Sequence, residues 1–217
     1  MISILSVWSF TRLHIKMLSR WLIQIFLIFC LLTSAQADLQ KSVKKYQGIS
    51  IPPALMKKTR KYDHLVRYFS SFSYFKPYHK VSPEFIHALI LAESAGNPRA
   101  ISNKNALGLG QIILTTAQSA GKELADLGYN FKYVSQRKLK NLKKHDLFNP
   151  AINILLTCYL ISKYNHKFDG RIELVLSAWN AGEYTEQLKY KKHAPYSETE
   201  NLIGKVNGYY LYLLKNR

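Results

Sequence analysis

A chain of 217 residues, 47% of them hydrophobic, can bury one sizeable core, so a single domain is the default. Lysine and arginine number 31 against 13 acids, a formal charge of +18, which points to an anionic partner such as a wall polymer, a lipid surface or nucleic acid. Two cysteines cannot build a disulfide framework, and the fold must stand on its core.

The first segment, 1–37, reads as a secretory signal peptide. Arg12, Lys16 and Arg20 precede an apolar run from Trp21 to Leu32, and Ala35-Gln36-Ala37 offers small residues around a cleavage point before Asp38. The run is shorter than the ~20 residues of a comfortable transmembrane span, which leaves an uncleaved anchor as the lesser alternative. The basic lead is long, and Met17 makes a more ordinary start than Met1. Cys30 follows Phe29 inside the run, a poor setting for lipid attachment. Cleavage after Ala37 removes three basic residues and no acid, so the charge falls from +18 to +15. It also leaves Cys158 alone beside Leu155, Leu156 and Tyr159, where a small buried hydrophobe is expected rather than a nucleophile. The mature protein reads as soluble, exported, and a monomer.

Residues 38–80 form a basic lead-in with a first helix, and Pro52-Pro53 acts as a breaker. Helices are predicted over about 54–72, 83–94, 115–127, 137–144, 150–164, 172–180 and 198–214. No alternating strand run and no fixed repeat stands out, so the fold class is mostly α. Tyr209, Tyr210 and Tyr212 are expected to pack in the core.

The second helix carries the residue of greatest chemical interest. Ser82 supplies an N-cap and Pro83 the first helical position. Ile86, Leu89, Ile90 and Glu93 then share one stripe, so the Glu93 carboxyl shares a face with core residues. Ala95, Gly96, Asn97 and Pro98 end the helix and leave Glu93 in its last turn. Burial and the negative end of the helix dipole both raise a carboxyl pKa, towards the ~6–7 that suits a general acid. A Glu that merely snorkels from a helix end is the commoner reading of a lone acid, and the spacing does not decide between the two.

Four ordered blocks over about Val81 to Val206 carry a resemblance. They are Glu93-Ser94, Asn97-Pro98, Ala100, Ser102 and Ala106 to Gln111; Asn149 to Ile154 with Tyr159-Leu160; Leu176 to Gly182; and Pro195 to Thr199. They resemble, in the same order, the signature of the soluble lytic transglycosylases: E-S-x-x-N-P-x-A-x-S with G-A-x-G-L-M-Q, N-P-x-x-N-I with Y-L, L-A-A-Y-N-A-G, and P-x-x-E-T. The resemblance implies a lysozyme-like helical domain with a substrate groove over 81–217. It departs at Asn105, where the family has Gly and where Asn tolerates a left-handed backbone. Gly110 stands for Met, which removes a side chain expected to line the groove. Leu114, Trp179 and Leu202 replace a Pro and two Tyr residues.

By that resemblance Glu93 is the catalytic acid of a peptidoglycan lytic transglycosylase, which cleaves the MurNAc–GlcNAc β-1,4 bond and closes a 1,6-anhydro ring. Ser102 and Gln111 match groove contacts to sugar groups, and Tyr159 matches an aromatic close to the acid. Trp179 and Asn180 occupy the positions that face it, and Glu198 matches an acid that supports the site. For Asn180 a helix C-cap, for Glu198 a helix N-terminal acid, and for Trp179 plain core are the structural alternatives. The resemblance implies no cofactor and no metal. A hydrolytic route needs a second carboxylate about 5–9.5 Å away. Asp146, Asp169, Glu173 and Glu183 are candidates by residue type only.

The densest basic run is Lys132, Arg137, Lys138, Lys140, Lys143 and Lys144, read either as a helical insertion whose positive face covers or borders the groove, or as a solvated surface. The expected partner is peptidoglycan glycan, with an envelope-spanning secretion complex as a further setting. Export and the absence of a nucleic-acid motif count against nucleic acid. Two other functions fit the same residues: a hydrolytic muramidase that uses water, and a catalytically weak murein-binding protein.

Overall fold

The computed structural model describes residues 38–216. The expected signal peptide lies outside them. The chain divides into two units, 1–41 and 42–217. Of the first, only 38–41 are described, and they are helical.

In the second unit the lead-in is more ordered than its polar composition suggests, being helical as far as residue 45. It docks on the last long helix of the chain. Lys45 and Tyr46 both donate to Asn201 Oδ1, at 3.2 and 2.9 Å. Gly204 and Gly208 on that helix permit the approach, because a Cβ at either would stand 2.5 Å from the carbonyl oxygen of Ser42 or Tyr46.

The single helix expected over 54–72 is two, α1 (Pro53–Arg60) and α2 (Asp63–Ser70). The only fully buried side chain of α1 is Thr59, whereas Tyr62 in the break is buried. Turning the chain at Lys61-Tyr62 sinks that ring and lets α2 present Leu65, Val66 and Phe69 to the core. Helix α3 (Pro83–Ser94) has the predicted bounds. Ser82 Oγ accepts from Phe85 N at 3.3 Å, Pro83 opens the helix, and Ala95 closes it at φ +52°. Phe85, Ile86, Ala88, Leu89, Ile90 and Leu91 are all buried, so α3 is a central helix.

Helix α4 (Leu114–Asp126) follows. The helix expected over 137–144 stops early: α5 (Gln136–Lys140) is followed by a 3-10 turn, η1 (Lys144–Phe148). Asp146 causes the change, since its buried carboxylate accepts from Lys143 N and Lys138 Nζ, both at 2.9 Å, and folds the chain back. Helix α6 (Pro150–Lys167) is capped by Asn149, whose Oδ1 accepts from Ala151 N at 2.9 Å. Next come α7 (Ile172–Ala181), the short α8 (Glu186–Lys189), which the sequence did not signal, and α9 (Ser197–Lys215).

The fold is mostly α. Among the described residues, β pairing is confined to the isolated bridges Ile101–Leu107 and Leu107–Ile112. Helix α9 packs along α3 and also against α7, while α6 packs on α2 and α7. Tyr209 is buried, but Tyr210 and Tyr212 are only half-buried. Cys158 lies fully buried in α6, and desolvation pushes its thiol pKa upward, so it is held as an inert thiol. No helix among the described residues is long and apolar enough to cross a membrane.

Candidate active site

Glu93 is presented at the C-terminus of α3 because Ala95 takes a left-handed conformation and turns the chain away after one more residue. The carboxyl is half-buried, and Trp179 Nε1, from the last turn of α7, donates to its Oε1 at 2.7 Å. Burial pushes the Glu93 pKa up to about 7 against the pull of the Trp179 N–H and the Lys205 ammonium; the negative charge of Glu198 adds to the rise. The carboxyl is thus poised to hold a proton near neutrality. With Oε1 accepting the indole N–H, the proton of the neutral acid resides on Oε2.

The loop after α3 builds the facing wall. Asn105 and Gln111 have φ +58° and +53°, and Asn105 is the position where the resemblance replaces Gly by Asn. Ser102 Oγ accepts from the backbone N–H of Lys104 and Ala106, at 3.2 and 3.0 Å. Gln111 Nε2 donates to the carbonyls of Gly108 and Ala100, at 2.8 and 3.3 Å, so its amide nitrogen fastens the loop and its carbonyl oxygen is the group left to accept.

Beneath this loop stands Asn153, a fully buried side chain. Its Oδ1 accepts from Gly110 N at 2.8 Å, and its Nδ2 donates to the carbonyls of Leu107 and Leu147 at 3.0 and 2.9 Å. One amide therefore pins the glycine loop to α6. A Cβ on Gly108 would fall 2.2 Å from the Leu147 carbonyl oxygen, so only glycine lets the loop lie this close. At Gly110 a Cβ would point at Thr157 Oγ1, 2.4 Å away, and so into the fold. The expectation that Gly110 removes a groove-lining side chain is corrected: Thr157 fills the space that such a side chain would enter.

Glu93, Ser102, Gln111, Trp179, Asn180 and Glu198 all line one cleft of about 300 Å³. Asn180 Oδ1 accepts from the buried Thr199 hydroxyl at 2.6 Å, which joins the end of α7 to the first turn of α9. Glu198 forms an ion pair with Lys104 across the mouth, and that hydrogen bond holds its carboxyl below the usual range. The cleft thus contains one carboxyl raised towards 7 and one kept anionic.

Tyr159 is not in the cleft. Its hydroxyl donates to Glu123 Oε2 at 2.6 Å, and its ring packs against Tyr74 and Phe75. Helical period explains the correction. Tyr159 and Lys163, four residues apart, share Glu123, while Leu160 and Tyr164, turned about 100° from them, line the cleft. The i, i+4 pair Leu160/Tyr164 was the available signal. Lys104, Ile113 and Thr116 also line the cleft and were not singled out from the sequence.

None of the six basic residues from Lys132 to Lys144 lines the cleft. The segment packs on α4, and Lys138 is committed to Asp146, so it does not form a wall of the cleft. The remaining carboxyl candidates are tied elsewhere: Asp146 to Lys138, Asp169 to Lys191, Glu173 to Arg171, and Glu183 to Lys163 and Lys167. A larger cleft of about 730 Å³, bordered by α1, α2 and the start of α3, contains none of the residues around Glu93. There Asp63 already accepts from Arg67 Nε and bonds His87 Nε2. Among the described residues, no three His, Cys, Asp or Glu side chains converge as metal ligands.

Residues 75–203 match the family model described as the transglycosylase SLT domain. The chain belongs to the SLT domain family. Its relatives include a putative soluble lytic murein transglycosylase of Haemophilus influenzae, 32% identical over 102 residues, a match covering 47% of this chain and 15% of the relative. The membrane-bound lytic murein transglycosylase C of Shigella sonnei is 33% identical over 139 residues, covering 61% of this chain and 34% of the relative. The chain therefore spans about a third or less of these relatives. Among solved structures, the 70 kDa soluble lytic transglycosylase of Escherichia coli superposes with a TM-score of 0.57 at 22% identity, covering 71% of this chain and 24% of the other. That likeness is one of fold, and it carries the lysozyme-like helical architecture of an SLT domain.

Proposed function

We propose that this SLT domain protein is a peptidoglycan lytic transglycosylase that acts in the periplasm or outside the cell after removal of residues 1–37. The observation that carries the reading is Glu93: a carboxyl at a helix end, half-buried in a cleft, with its pKa near 7 and one oxygen held by Trp179.

In the proposed reaction Glu93 Oε2 gives its proton to the glycosidic oxygen as the bond to the MurNAc anomeric carbon breaks. The resulting carboxylate then accepts the proton of the MurNAc C6 hydroxyl, whose oxygen bonds to the anomeric carbon. One acid serves both steps, and no water is consumed. Ser102 and Gln111 line the cleft and in this reading contact sugar amide and hydroxyl groups, Gln111 through its carbonyl oxygen. Tyr164, an aromatic that lines the cleft, takes in this reading the role that the resemblance implies for Tyr159. Lys104 and Glu198 present a charged pair at the mouth, suited to the ammonium and carboxylate groups of stem peptides.

Glu198 also gives the hydrolytic reading its specific support, as the second carboxylate of the cleft and an anion able to activate water. The products separate the two readings, because hydrolysis leaves reducing MurNAc ends. An exported wall-cleaving protein of charge +15 would also suit an envelope-spanning secretion complex, a setting that a pull-down from envelope fractions would test.

The reading rests most directly on Glu93→Gln. A general acid contributes about 10²–10⁴-fold, so clearing of sacculi should fall at least about a hundredfold while binding persists. Clearing within threefold of the parent by a folded Glu93→Gln protein would remove Glu93 from its role.

A further inference from the structure

The SLT domain carries a cation at the helix end that bears the acid. Helix α3 stops at Ser94, and the left-handed Ala95 donates its N–H to Leu91 O at 3.3 Å, closing the helical ladder. The carbonyl of Ala92 belongs to the final turn, where carbonyl oxygens run out of intrahelical donors and the helix dipole is negative. Lys205 reaches this carbonyl from α9: its Nζ donates to Ala92 O at 3.0 Å. Its side chain is half-buried, and among the described residues no carboxylate stands within ion-pair distance of it. The ammonium thus binds the residue next to Glu93, on the pair of helices that pack most extensively in the fold.

We propose that Lys205 is a positioning residue for the reaction: it ties the last turn of α3 to α9 and sets, with its charge, the field in which the Glu93 carboxyl works. Three features make this more than a helix cap. First, the bonded carbonyl is that of the residue immediately before Glu93, so a shift of α9 moves the acid directly. Second, Lys205 and Glu198 lie on the same helix but act on Glu93 in opposite directions. The N-terminal turn of α9 brings an anion to the cleft, and a position two turns further on brings a cation. Third, Lys205 is half-buried and, among the described residues, has no carboxylate within ion-pair distance, so no neighbouring anion offsets its charge at the helix end.

The charged and titratable groups around the acid are therefore Lys205 and Glu198 from α9, Lys104 from the loop and Tyr164 from α6, with the indole of α7 as a neutral donor. Of the two cations, Lys104 is paired with Glu198, whereas Lys205 is not paired with a carboxylate. The role of Lys205 rests on the reading of Glu93 as the acid, but its effect on the carboxyl can be measured without turnover.

The test uses the full chain with ¹³C-labelled glutamate and follows Glu93 by NMR titration in the parent and in Lys205→Met, Lys205→Gln and Lys205→Arg, with Glu93→Gln assigning the resonance. Lys205→Gln retains a donor for the Ala92 carbonyl but no charge, and Lys205→Arg retains both. The Glu93 midpoint should rise by roughly half a pH unit or more in Met and Gln and stay at the parent value in Arg. The alkaline limb of the clearing-rate profile should move up by the same amount in Met and Gln, with Lys205→Arg restoring the parental profile. A merely structural lysine would lower the rate without moving the midpoint. An unchanged Glu93 midpoint in folded Lys205→Gln or Lys205→Met overturns the proposal, as does a downward shift. If no variant, parent included, cleaves sacculi, the functional reading fails while the NMR midpoint still decides the role of Lys205.

Discussion

Glu93 destabilises the fold whenever it is ionised, and Glu93→Gln should therefore make the protein more stable in a defined pH window. The carboxyl has a folded pKa of about 7 against 4.5 for the ordinary group. A folded pKa raised above the unfolded one means that the native state holds the proton more tightly. The associated stability is fully present below about pH 4.5 and is lost as pH rises through 7. The rise corresponds to at most roughly 3 kcal/mol, and partial solvent access to the cleft lowers the expected value to about 1–3 kcal/mol. Gln has the same shape, carries no charge, and can still accept the Trp179 N–H through its carbonyl oxygen. For a domain of this size 1 kcal/mol moves Tm by roughly 2–4 °C, so at pH 8.5 the variant should melt about 2–12 °C higher than the parent. At pH 4 the two should coincide. Chemical denaturation at both pH values measures the difference directly. Parallel stability curves for parent and variant from pH 4 to 8.5 would refute the raised pKa, and with it the description of Glu93 as a desolvated acid.

Gly110→Ala should cost on the order of 1–3 kcal/mol, because its Cβ meets Thr157 Oγ1, and Thr157→Ala in the same chain should recover most of that loss. Urea titration of the two single variants and the double one checks the coupling, and simple additivity would mean that a Cβ at position 110 does not meet Thr157. The exposed Lys140, Lys143 and Lys144 act at long range if they act at all, so their joint change to Gln should weaken sacculus binding at low ionic strength and flatten its salt dependence, as the Debye length falls from ~10 Å at 0.1 M to ~3 Å at 1 M. Lys138 is left in place because it partners the buried Asp146. Equal binding by parent and variant at every salt concentration would identify the segment as ordinary solvated surface.

Helix α3 was legible to the residue because every local signal agreed: a serine cap, proline at the first position, a continuous apolar face and an Ala-Gly-Asn-Pro exit. The groups placed around Glu93 were legible through ordered motif blocks, and Glu93, Ser102, Gln111, Trp179, Asn180 and Glu198 do converge on one cleft. Burial direction was not so readily read. Helix α6 is apolar on nearly every side, so hydrophobic periodicity gives no phase to check the Tyr159 role that the resemblance implies, and it is Leu160 that lines the cleft. Long-range polar contacts left no local trace either. Asp146 breaks the basic helix by accepting from Lys138 and Lys143, and Lys205 meets Ala92 across 113 positions of sequence. Gly110 was legible as a departure but not as a fit, since its consequence depends on Thr157, 47 residues downstream.

Mass spectrometry of soluble fragments released from purified sacculi tests most directly whether Glu93 serves both steps of a transglycosylase reaction. A single acid acting without water should yield 1,6-anhydroMurNAc ends, with muropeptides ~18 Da lighter than their hydrated counterparts. Digestion in H₂¹⁸O should leave those ends unlabelled. Predominantly reducing MurNAc ends carrying ¹⁸O would contradict the mechanism and show that water, not the C6 hydroxyl, attacks the anomeric carbon.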